Sequence, residues 1–389
     1  MTTYRDVLRH REMPAVFFAH GVSLTGSVAA EVALSVLVYR RTASPLLSAL
    51  TLACAFVPQA LSAVLLSGVV DRVPARRLLV ACDLLCALLV VGMTVPGTPT
   101  VVLLLLAAGT GIVTPLFGGA RSAMLADVLE GEVWVRARSM MRVLSQSALL
   151  LGFAVGGLVL AAVGPRTLLV ADAVSFVLSA LVLRLGTSER PARASVRSRV
   201  SFRVAGDALR DPTLRPLLLM TWLPPACVSA VDALATPYAA PDTTAIGLLL
   251  AAAALGSILS EVLGRRVTRA RTVASLTGFG LLLFAFHPPV WLAIPVVLLA
   301  MQGGAIGQLL DGRLLALLPE DGRGQLLALQ NGLLMGIQGV GLAIAGALAE
   351  VWPPYVVLAG AGAVDLLCVL LLLPQTSRRT VNAVPSRPS

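Results

Sequence analysis

The sequence predicts an all-α integral membrane protein of twelve transmembrane helices, arranged as two pseudo-symmetric six-helix bundles. Of its 389 residues, 57% are hydrophobic and only 13% are charged, whereas soluble domains contain about 45–50% apolar and about 25% charged residues. The chain also divides into twelve apolar runs near the length of about 20 residues that a membrane helix needs. A third observation, an approximate repeat of the first half in the second, separates these runs into two sets of six.

The predicted spans follow one another at short intervals within each half. The first run is expected to remain as a span, because it is too long for the apolar core of a cleavable signal peptide. It also follows a charged segment, Arg5 to Glu12. The ninth run is the shortest. The twelve predicted spans are residues 14–39, 45–70, 78–95, 99–124, 137–162, 166–185, 214–233, 245–263, 272–286, 290–312, 324–350 and 353–374.

The longest polar stretch of the chain follows the sixth predicted span. It occupies residues 186–213 and is rich in arginine, so we interpret it as a cytoplasmic basic linker between two bundles. The predicted N-terminal bundle is then residues 1–185, and the predicted C-terminal bundle is residues 214–374. Residues 375–389 are predicted to form a cytoplasmic tail.

The two halves show traces of an internal repeat. Gly152 and Gly157 correspond to Gly341 and Gly346 at a constant offset of 189 residues. Arginines near span ends recur at offsets of 187 to 193 residues. Duplicated bundles of this kind are typical of secondary transporters.

The thirty basic residues are all arginine, and their distribution predicts the orientation of the chain. Only Arg40, Arg41 and Arg166 fall on one side of the predicted membrane, while the others lie on the opposite side or at span ends next to it. Positive residues are retained on the cytoplasmic side of a membrane. We therefore expect a multi-pass protein of the inner (cytoplasmic) membrane with both termini in the cytoplasm.

The net charge of +10 would by itself favour a nucleic-acid binder, but charged residues are too few to form the polar basic face that such a protein needs. The sequence also contains no G-x-x-x-x-G-K-S/T phosphate-binding loop and no H-E-x-x-H zinc motif. Its five cysteines lie in apolar stretches, where cysteine acts as a small packing residue. We expect no cofactor, no bound metal, no nucleic-acid partner and no enzymatic activity.

A charged loop follows the second predicted span and reads Gly68-Val-Val-Asp71-Arg72-Val-Pro-Ala-Arg76-Arg77. A carboxylate beside several arginines can accept hydrogen bonds from them and lie near the N-terminus of a neighbouring helix, where the helix dipole favours an anion. If such contacts form in only one of two conformations, they bias the equilibrium between them. The loop is therefore a candidate gate. The other interpretation is a charge cluster that only sets the topology.

This loop resembles the signature between helices two and three of the major facilitator superfamily. Three more segments, residues 23–45, 152–185 and 246–267, resemble the branch of that family that contains the enterobactin exporter and related drug-efflux proteins. The resemblance implies the major facilitator fold, in which the first, fourth, seventh and tenth helices line a central cavity.

The fifth predicted span carries Gly152, Gly156 and Gly157, which the resemblance implies to be a helix-packing motif of the antiporter type. The family's motif has a Gly-Pro pair, whereas here Phe153 follows Gly152. The fourth predicted span reads LLAAGTGIVTP and lacks the arginine that many proton-coupled drug antiporters place before a Gln-Gly pair. These departures leave an importer or facilitator of the same fold as an alternative to an exporter.

Charged residues inside predicted spans are costly and therefore indicate function. Glu31 is the strongest candidate for proton coupling, because it lies well inside the first span and shares a helix face with His20, a candidate member of a proton relay. The alternatives are an interhelical hydrogen bond for Glu31 and simple packing for His20. Asp232 and Asp311 could face the same path from the seventh and tenth spans, or only anchor helix ends. The acids of the third, sixth and twelfth spans are interpreted as structural: Asp83, Asp172 and Asp365.

Neutral polar side chains and one tryptophan inside the predicted spans are candidates for the surface that contacts a substrate. Each alone is weak evidence, because polar residues also hold membrane helices together. Pro224 and Pro225 should bend the seventh span by removing backbone donors. The candidates are Ser27, Gln59, Thr114, Gln146, Trp222, Gln302, Gln308, Asn331 and Gln338.

Together these features predict a secondary active transporter that works by alternating access. We expect a proton-coupled exporter (antiporter) of a hydrophobic or amphipathic small molecule, such as a drug, a secondary metabolite or a siderophore. Its expected partners are that substrate, protons and the lipid bilayer, and we expect a monomer. A membrane-embedded lipid-acting enzyme or scramblase is the alternative from another class, and it would need clustered catalytic carboxylates or a metal set.

Overall fold

The computed structural model describes residues 4–191, 210–212, 214–264, 270–304, 306–307, 310 and 323–383. They are almost entirely helical, with no β-strand among them, so the predicted all-α fold class is confirmed. Short 3-10 segments continue α11 and α12. The described helices are α1 (Tyr4–Arg9), α2 (Met13–Thr42), α3 (Pro45–Leu65), α4 (Ser67–Arg72), α5 (Ala75–Thr94), α6 (Thr100–Val128), α7 (Gly131–Val163), α8 (Pro165–Gly186), α9 (Leu214–Ala239), α10 (Thr243–Gly264), α11 (Ala270–Leu282), α12 (Val290–Met301), α13 (Arg323–Leu348) and α14 (Pro354–Ala383).

Within the described residues, nine helices are long and apolar enough to cross a membrane, and three shorter apolar segments accompany them, Ser275–Phe286, Val290–Gly304 and Gly332–Leu348. Each of the twelve predicted spans coincides with one of these segments. The second predicted span is interrupted, because Leu66 leaves the helical conformation between α3 and α4. The last helix continues to Ala383, through most of the predicted tail.

Short turns between consecutive helices make them antiparallel neighbours. α2 ends at Thr42, and the left-handed backbone of the next residue, Ala43 (φ 53°), closes the turn. α3 begins directly after Ser44, whose hydroxyl accepts a hydrogen bond from the backbone N–H of Leu47 at 3.1 Å. Gly164 (φ 81°) makes the equivalent turn between α7 and α8, and Pro165 starts α8. Consecutive spans therefore alternate in direction.

The helices of each half pack into a bundle. In the first half, α2 packs against α7 and α8, α5 packs against α6 and α8, and α3 packs against α6. In the second half, α9 packs against α13 and α14, α11 packs against α14, and α10 packs against α12. The halves meet where α3 packs on α13 and α7 packs on α10. The interface thus pairs the second and fifth spans of one half with the fifth and second spans of the other.

The alternation of the helices defines two faces of the membrane. We call the face with the start of α2 and the end of α14 the terminal face, and the other the opposite face. Helices α3 and α13 diverge from the opposite face toward the terminal face. The distance from a Cβ placed on each of four glycines of α13 to the nearest α3 atom is 2.6 Å at Gly346, 2.8 Å at Gly339, 3.5 Å at Gly336 and 3.7 Å at Gly332.

Candidate functional site

A cavity of about 450 Å³ lies between the two halves, within the range of about 300–1,000 Å³ that is typical of small-molecule sites. Helices α2, α3 and α7 line it from the first half, and all six helices α9 to α14 line it from the second. Most of the lining is apolar, with Phe56, Phe153 and Leu342 among the larger side chains. A cavity lined from both halves changes shape whenever the halves move relative to each other.

Glu31 of α2 and Asp232 of α9 bring two carboxyl groups to the cavity wall from opposite halves. They are close enough for their charges to interact. A third carboxyl on the wall, that of Glu261, is paired with Arg142, and none of the described lining residues is basic. Unpaired carboxylates inside a membrane are costly when ionised, so this pair attracts a proton or a cationic group.

Two consecutive prolines shape α9 beside the cavity. Pro224 and Pro225 both line it, and neither has the backbone N–H that would bond the carbonyl of the residue four positions earlier. The carbonyls of Met220 and Thr221 therefore lose their usual helical partners, and both residues also line the cavity. The helix that carries Asp232 thus has two carbonyls beside the cavity that lack their usual α-helical donor.

Three hydroxyl groups close the cavity toward the opposite face. Ser35 of α2 is hydrogen-bonded to Ser48 of α3 at 2.8 Å and to Thr236 of α9 at 2.9 Å. All three side chains are buried, and Ser35 and Thr236 also line the cavity. Because Thr236 belongs to the second half, this cluster, which we call the hydroxyl cap, joins the two halves.

A second contact between the halves lies at the same face. The carboxylate of Glu350, just after α13, accepts hydrogen bonds from the hydroxyl of Ser44 and from the backbone N–H of Leu46, the latter at 3.0 Å. These donors lie at the start of α3, where unpaired N–H groups and the helix dipole favour an anion. Glu350 therefore helps to hold this end of the α3/α13 interface together.

The predicted gating loop lies at the terminal face, in α4 and the start of α5. Arg76 donates a hydrogen bond to the backbone carbonyl of Arg184, and Arg77 is paired with Glu189. Both arginines therefore tie α5 to the end of α8. Of the other motif residues, Arg72 is exposed, and the surroundings of Gly68 and of the Asp71 side chain lie outside the described part of the chain.

His20 lies outside the cavity lining, in a separate polar cluster within the first half. Its Nε2 is hydrogen-bonded to the hydroxyl of Ser145 at 2.7 Å and to the guanidinium of Arg121 at 3.1 Å. Asp83 of α5 accepts a hydrogen bond from Ser179 of α8 at 2.8 Å and interacts electrostatically with Arg121. The only sign of this cluster in the sequence is Arg121, a lone arginine near the end of the apolar fourth span. Its distance along the chain from His20 does not show that the two side chains meet.

The three glycines of the fifth span bring α7 against two other helices. A Cβ on Gly152 would lie 2.7 Å from Val28 of α2, and one on Gly156 would lie 3.0 Å from Ala29. A Cβ on Gly157 would lie 2.5 Å from the Cα of Gly247 on α10. The first two glycines pack α7 within its own half, whereas Gly157 packs it against the other half.

The remaining candidates occupy different environments. Gln338 lines the cavity, whereas the buried Trp222 packs with Leu218 against α13. Gln302 donates hydrogen bonds to two backbone carbonyls, at 2.9 and 3.4 Å. Four candidates lie outside the cavity lining: Ser27 contacts Asp172, Thr114 is exposed, and both Gln59 and Gln146 are half-buried. Gln308, Asp311 and the side chain of Asn331 lie outside the described part of the chain.

The same architecture occurs in solved structures of transporters. The nucleoside transporter NupG gives a TM-score of 0.74 over 93% of this chain and 98% of that one, at 11% sequence identity. A bacterial homolog of the human lysosomal transporter Spinster, inward-facing and unoccupied, gives a TM-score of 0.70 over 96% of this chain and 98% of that one, at 16% identity. At these identities the likeness shows the fold alone, and it confirms the predicted architecture.

Sequence comparison extends the likeness. The multidrug efflux pump Tap of Mycolicibacterium fortuitum is 26% identical over 365 residues, which cover 86% of this chain and 88% of that protein. A family model described as Major Facilitator Superfamily matches residues 16–260. That match spans more than half of the chain and includes the predicted gating loop, the glycines of α7 and the cavity residues Glu31 and Asp232. The chain therefore belongs to the Major Facilitator Superfamily of membrane transporters.

Proposed function

We propose that the protein is a proton-coupled exporter of a hydrophobic or amphipathic small molecule, which it moves by alternating access. As a member of its family it is a transporter and not an enzyme. The observation that carries the proposal is the pair of carboxyl groups, Glu31 and Asp232, on a largely apolar cavity wall that joins the two halves.

Coupling follows from competition at these carboxyl groups. A carboxyl on such a wall holds either a proton or a cationic part of a substrate, because its ionised form needs a compensating positive charge. Substrate binding therefore releases a proton, and proton binding releases the substrate. A proton gradient that is directed inward then drives the substrate outward.

The arrangement of the halves supports loading from the terminal face, which the arginine distribution predicts to be cytoplasmic. The hydroxyl cap and Glu350 join the halves at the opposite face. The cavity lining extends toward the terminal face as far as Glu261 and Gly307. The efflux activity named for the 26% identical relative also supports export, and the apolar lining supports a drug, a secondary metabolite or a siderophore as cargo.

Everted membrane vesicles with an imposed pH gradient, acidic inside, test this proposal. Vesicles with the wild-type protein should accumulate a lipophilic cationic dye, whose fluorescence reports uptake. Glu31→Gln and Asp232→Asn should each lower the rate of accumulation by about tenfold or more, because an amide does not gain or lose a proton near neutral pH and the coupling free energy is lost.

Counterflow of the same dye at equal pH on both sides separates coupling from binding, because it needs no net proton movement. Glu31→Gln should retain counterflow. Glu130→Gln is the matched control, because Glu130 is exposed and makes no capping hydrogen bond at the start of α7. Undiminished gradient-driven uptake by both cavity variants would show that the proton role is wrong. Uptake only under the reversed gradient would identify an importer.

A further inference from the structure

Asp172 of α8 lies inside the first half, behind the cavity wall that carries Glu31. It is 2% exposed, and its Oδ1 accepts hydrogen bonds from Ser27 of α2 at 3.4 Å and from Ser175 at 3.3 Å. Gly26 permits this approach, because a Cβ there would lie 2.8 Å from the same oxygen. The carboxyl of Asp172 therefore lies directly against the backbone of α2.

Glu31 follows Ser27 by one helical turn on α2, and the two side chains are neighbours on one face of the helix. The serine that contacts Asp172 is thus adjacent to the cavity carboxyl, and the charges of Glu31 and Asp172 interact. Glu31 in turn interacts with Asp232. A row of three carboxyl groups therefore runs from the interior of the first half, through the cavity wall, to the second half.

No positive charge balances this row within the described chain, where neither Glu31 nor Asp172 forms an ion pair. On α5, the thiol of Cys86 interacts with Asp172, and the carboxylate of Asp83 accepts its hydrogen bond from Ser179, two turns further along α8. Helix α7 carries no charged residue between Arg142 and its end at the opposite face. Two carboxyl groups in such surroundings are not both ionised.

We propose that Asp172 is a second proton site of the transport cycle, and that it and Glu31 share one proton while substrate is bound. The inference rests on the proposed proton coupling and deepens it. With the cavity empty, both groups are protonated. Substrate binding releases one proton from the pair to water in the cavity; the O–H bond of Glu31 breaks, and the remaining proton lies on Asp172. After the substrate leaves, a proton from water on the other side forms that bond again.

Asp365 provides a matched control for Asp172. The two aspartates occupy corresponding positions, 193 residues apart, in the last spans of their halves. Asp365 is fully buried. Its electrostatic neighbours in the described chain are the thiols of Cys227 and Cys368, whereas Asp172 has Glu31. Asp365→Asn therefore removes a buried carboxyl without touching the cavity pair.

Infrared spectroscopy of the purified full-length protein tests proton sharing without transport. The C=O bands of protonated carboxyl groups are followed through a pH titration of the wild type, Glu31→Gln, Asp172→Asn and Asp365→Asn. Asp172→Asn should remove one band and move the titration midpoint of the Glu31 band by about one pH unit or more, because coupled sites titrate as a pair. Asp365→Asn should leave the Glu31 band in place. A Glu31 band that is unchanged in Asp172→Asn overturns the proposal.

Vesicle transport separates this inference from the proposed function. The pH profile of wild-type uptake should be broad, because a coupled pair loses its protons in two steps, and Asp172→Asn should narrow it to that of one site. Asp172→Glu should restore the broad profile, which distinguishes a lost proton site from misfolding. Coupled infrared bands without gradient-driven uptake would refute the proposed function and leave proton sharing intact. If the Asp172→Asn variant keeps gradient-driven uptake with the wild-type pH profile, Asp172 has only a structural role.

Discussion

Gly157 of α7 and Gly247 of α10 face each other across the two halves with no side chain between them. A Cβ on either residue would lie 2.5 Å from the Cα of the other. Two backbones approach this closely only where both residues lack a Cβ. The contact lies in the half of the membrane next to the opposite face, where the hydroxyl cap and Glu350 also join the halves.

A methyl group added at this contact should disturb the closed face. Gly247→Ala should lower the free energy of unfolding by about 1–3 kcal/mol, because an overpacked interface has to shift its backbone, and it should slow transport. Gly118→Ala of α6 is the control, since a Cβ there meets nothing within 4 Å. Thermal unfolding of the purified variants tests the effect. Equal melting temperatures for the two variants would contradict it.

Removal of the Glu350 carboxylate should open the opposite face more often. Glu350→Ala loses two hydrogen bonds to the start of α3, worth about 0.5–1.5 kcal/mol each. A cysteine in place of the fully buried Ser48, in a background without the five native cysteines, should then react about five to a hundred times faster with a membrane-impermeant maleimide. Glu130→Ala should leave the rate as it is, and an unchanged rate in Glu350→Ala would mean that the contact does not hold this face.

The ion pair between Arg142 of α7 and Glu261 of α10 crosses the halves near the terminal face. Both side chains are partly exposed, at 65% and 38%, so the pair should contribute at most about 1 kcal/mol. Glu261→Arg should nevertheless slow transport, because it sets two arginines against each other at the interface. The exchanged pair, Arg142→Glu with Glu261→Arg, should recover most of the rate in vesicle uptake. A double variant as slow as Glu261→Arg would rule out a direct charge interaction.

A two-point ion pair ties the start of α2 to the segment after α8. Arg190 donates two hydrogen bonds of 2.8 Å to the carboxylate of Glu12, outside the membrane spans. These bonds hold the pKa of Glu12 below its ordinary value of 4.5. A carboxyl whose pKa is lowered in the folded state stabilises the fold above its unfolded pKa, and this contribution is lost as the pH falls through the lowered value.

Arg190→Gln should therefore lower the melting temperature at neutral pH and have a smaller effect in acid. The cost at neutral pH should be about 1 kcal/mol, because the pair is only partly buried. The difference from the wild type should stay constant down to about pH 5 and shrink below the ordinary pKa of 4.5. Arg166→Gln, at an exposed arginine of the opposite face, is the control. A difference that does not vary with pH would exclude the ion pair as its cause.

The positions of the spans could be predicted from hydropathy, because a helix in lipid must be long and apolar whatever it packs against. Whether a helix is interrupted could not be predicted from its sequence. Pro58, Pro115 and Pro237 all lie inside continuous helices, since neighbouring groups can compensate for a missing backbone donor. The break at Leu66 carries no such marker, because it depends on how α3 meets the rest of the bundle.

Glu31 could be singled out from the sequence because a carboxylate is rare in an apolar run. Its surroundings could not be predicted, since Asp172 and Asp232 are 141 and 201 residues further along the chain and approach it only through helix packing. His20 lies near Glu31 on the same helix, but its side chain turns to Arg121 of α6. Periodicity along one helix cannot show which neighbour each face meets.

The hydroxyl cap joins the halves through Ser35, Ser48 and Thr236 rather than through large apolar side chains. When the opposite face opens, each of its hydrogen bonds is exchanged for one to water, at a net cost of only about 0.5–1.5 kcal/mol. A closure made of apolar side chains would instead expose hydrocarbon to water when it opened, at a free-energy cost of about 25 cal/mol for each Å² of apolar surface. The cap can thus be dry in one conformation and hydrated in the other, which keeps the two conformations close in free energy and lets a modest driving force reverse their populations.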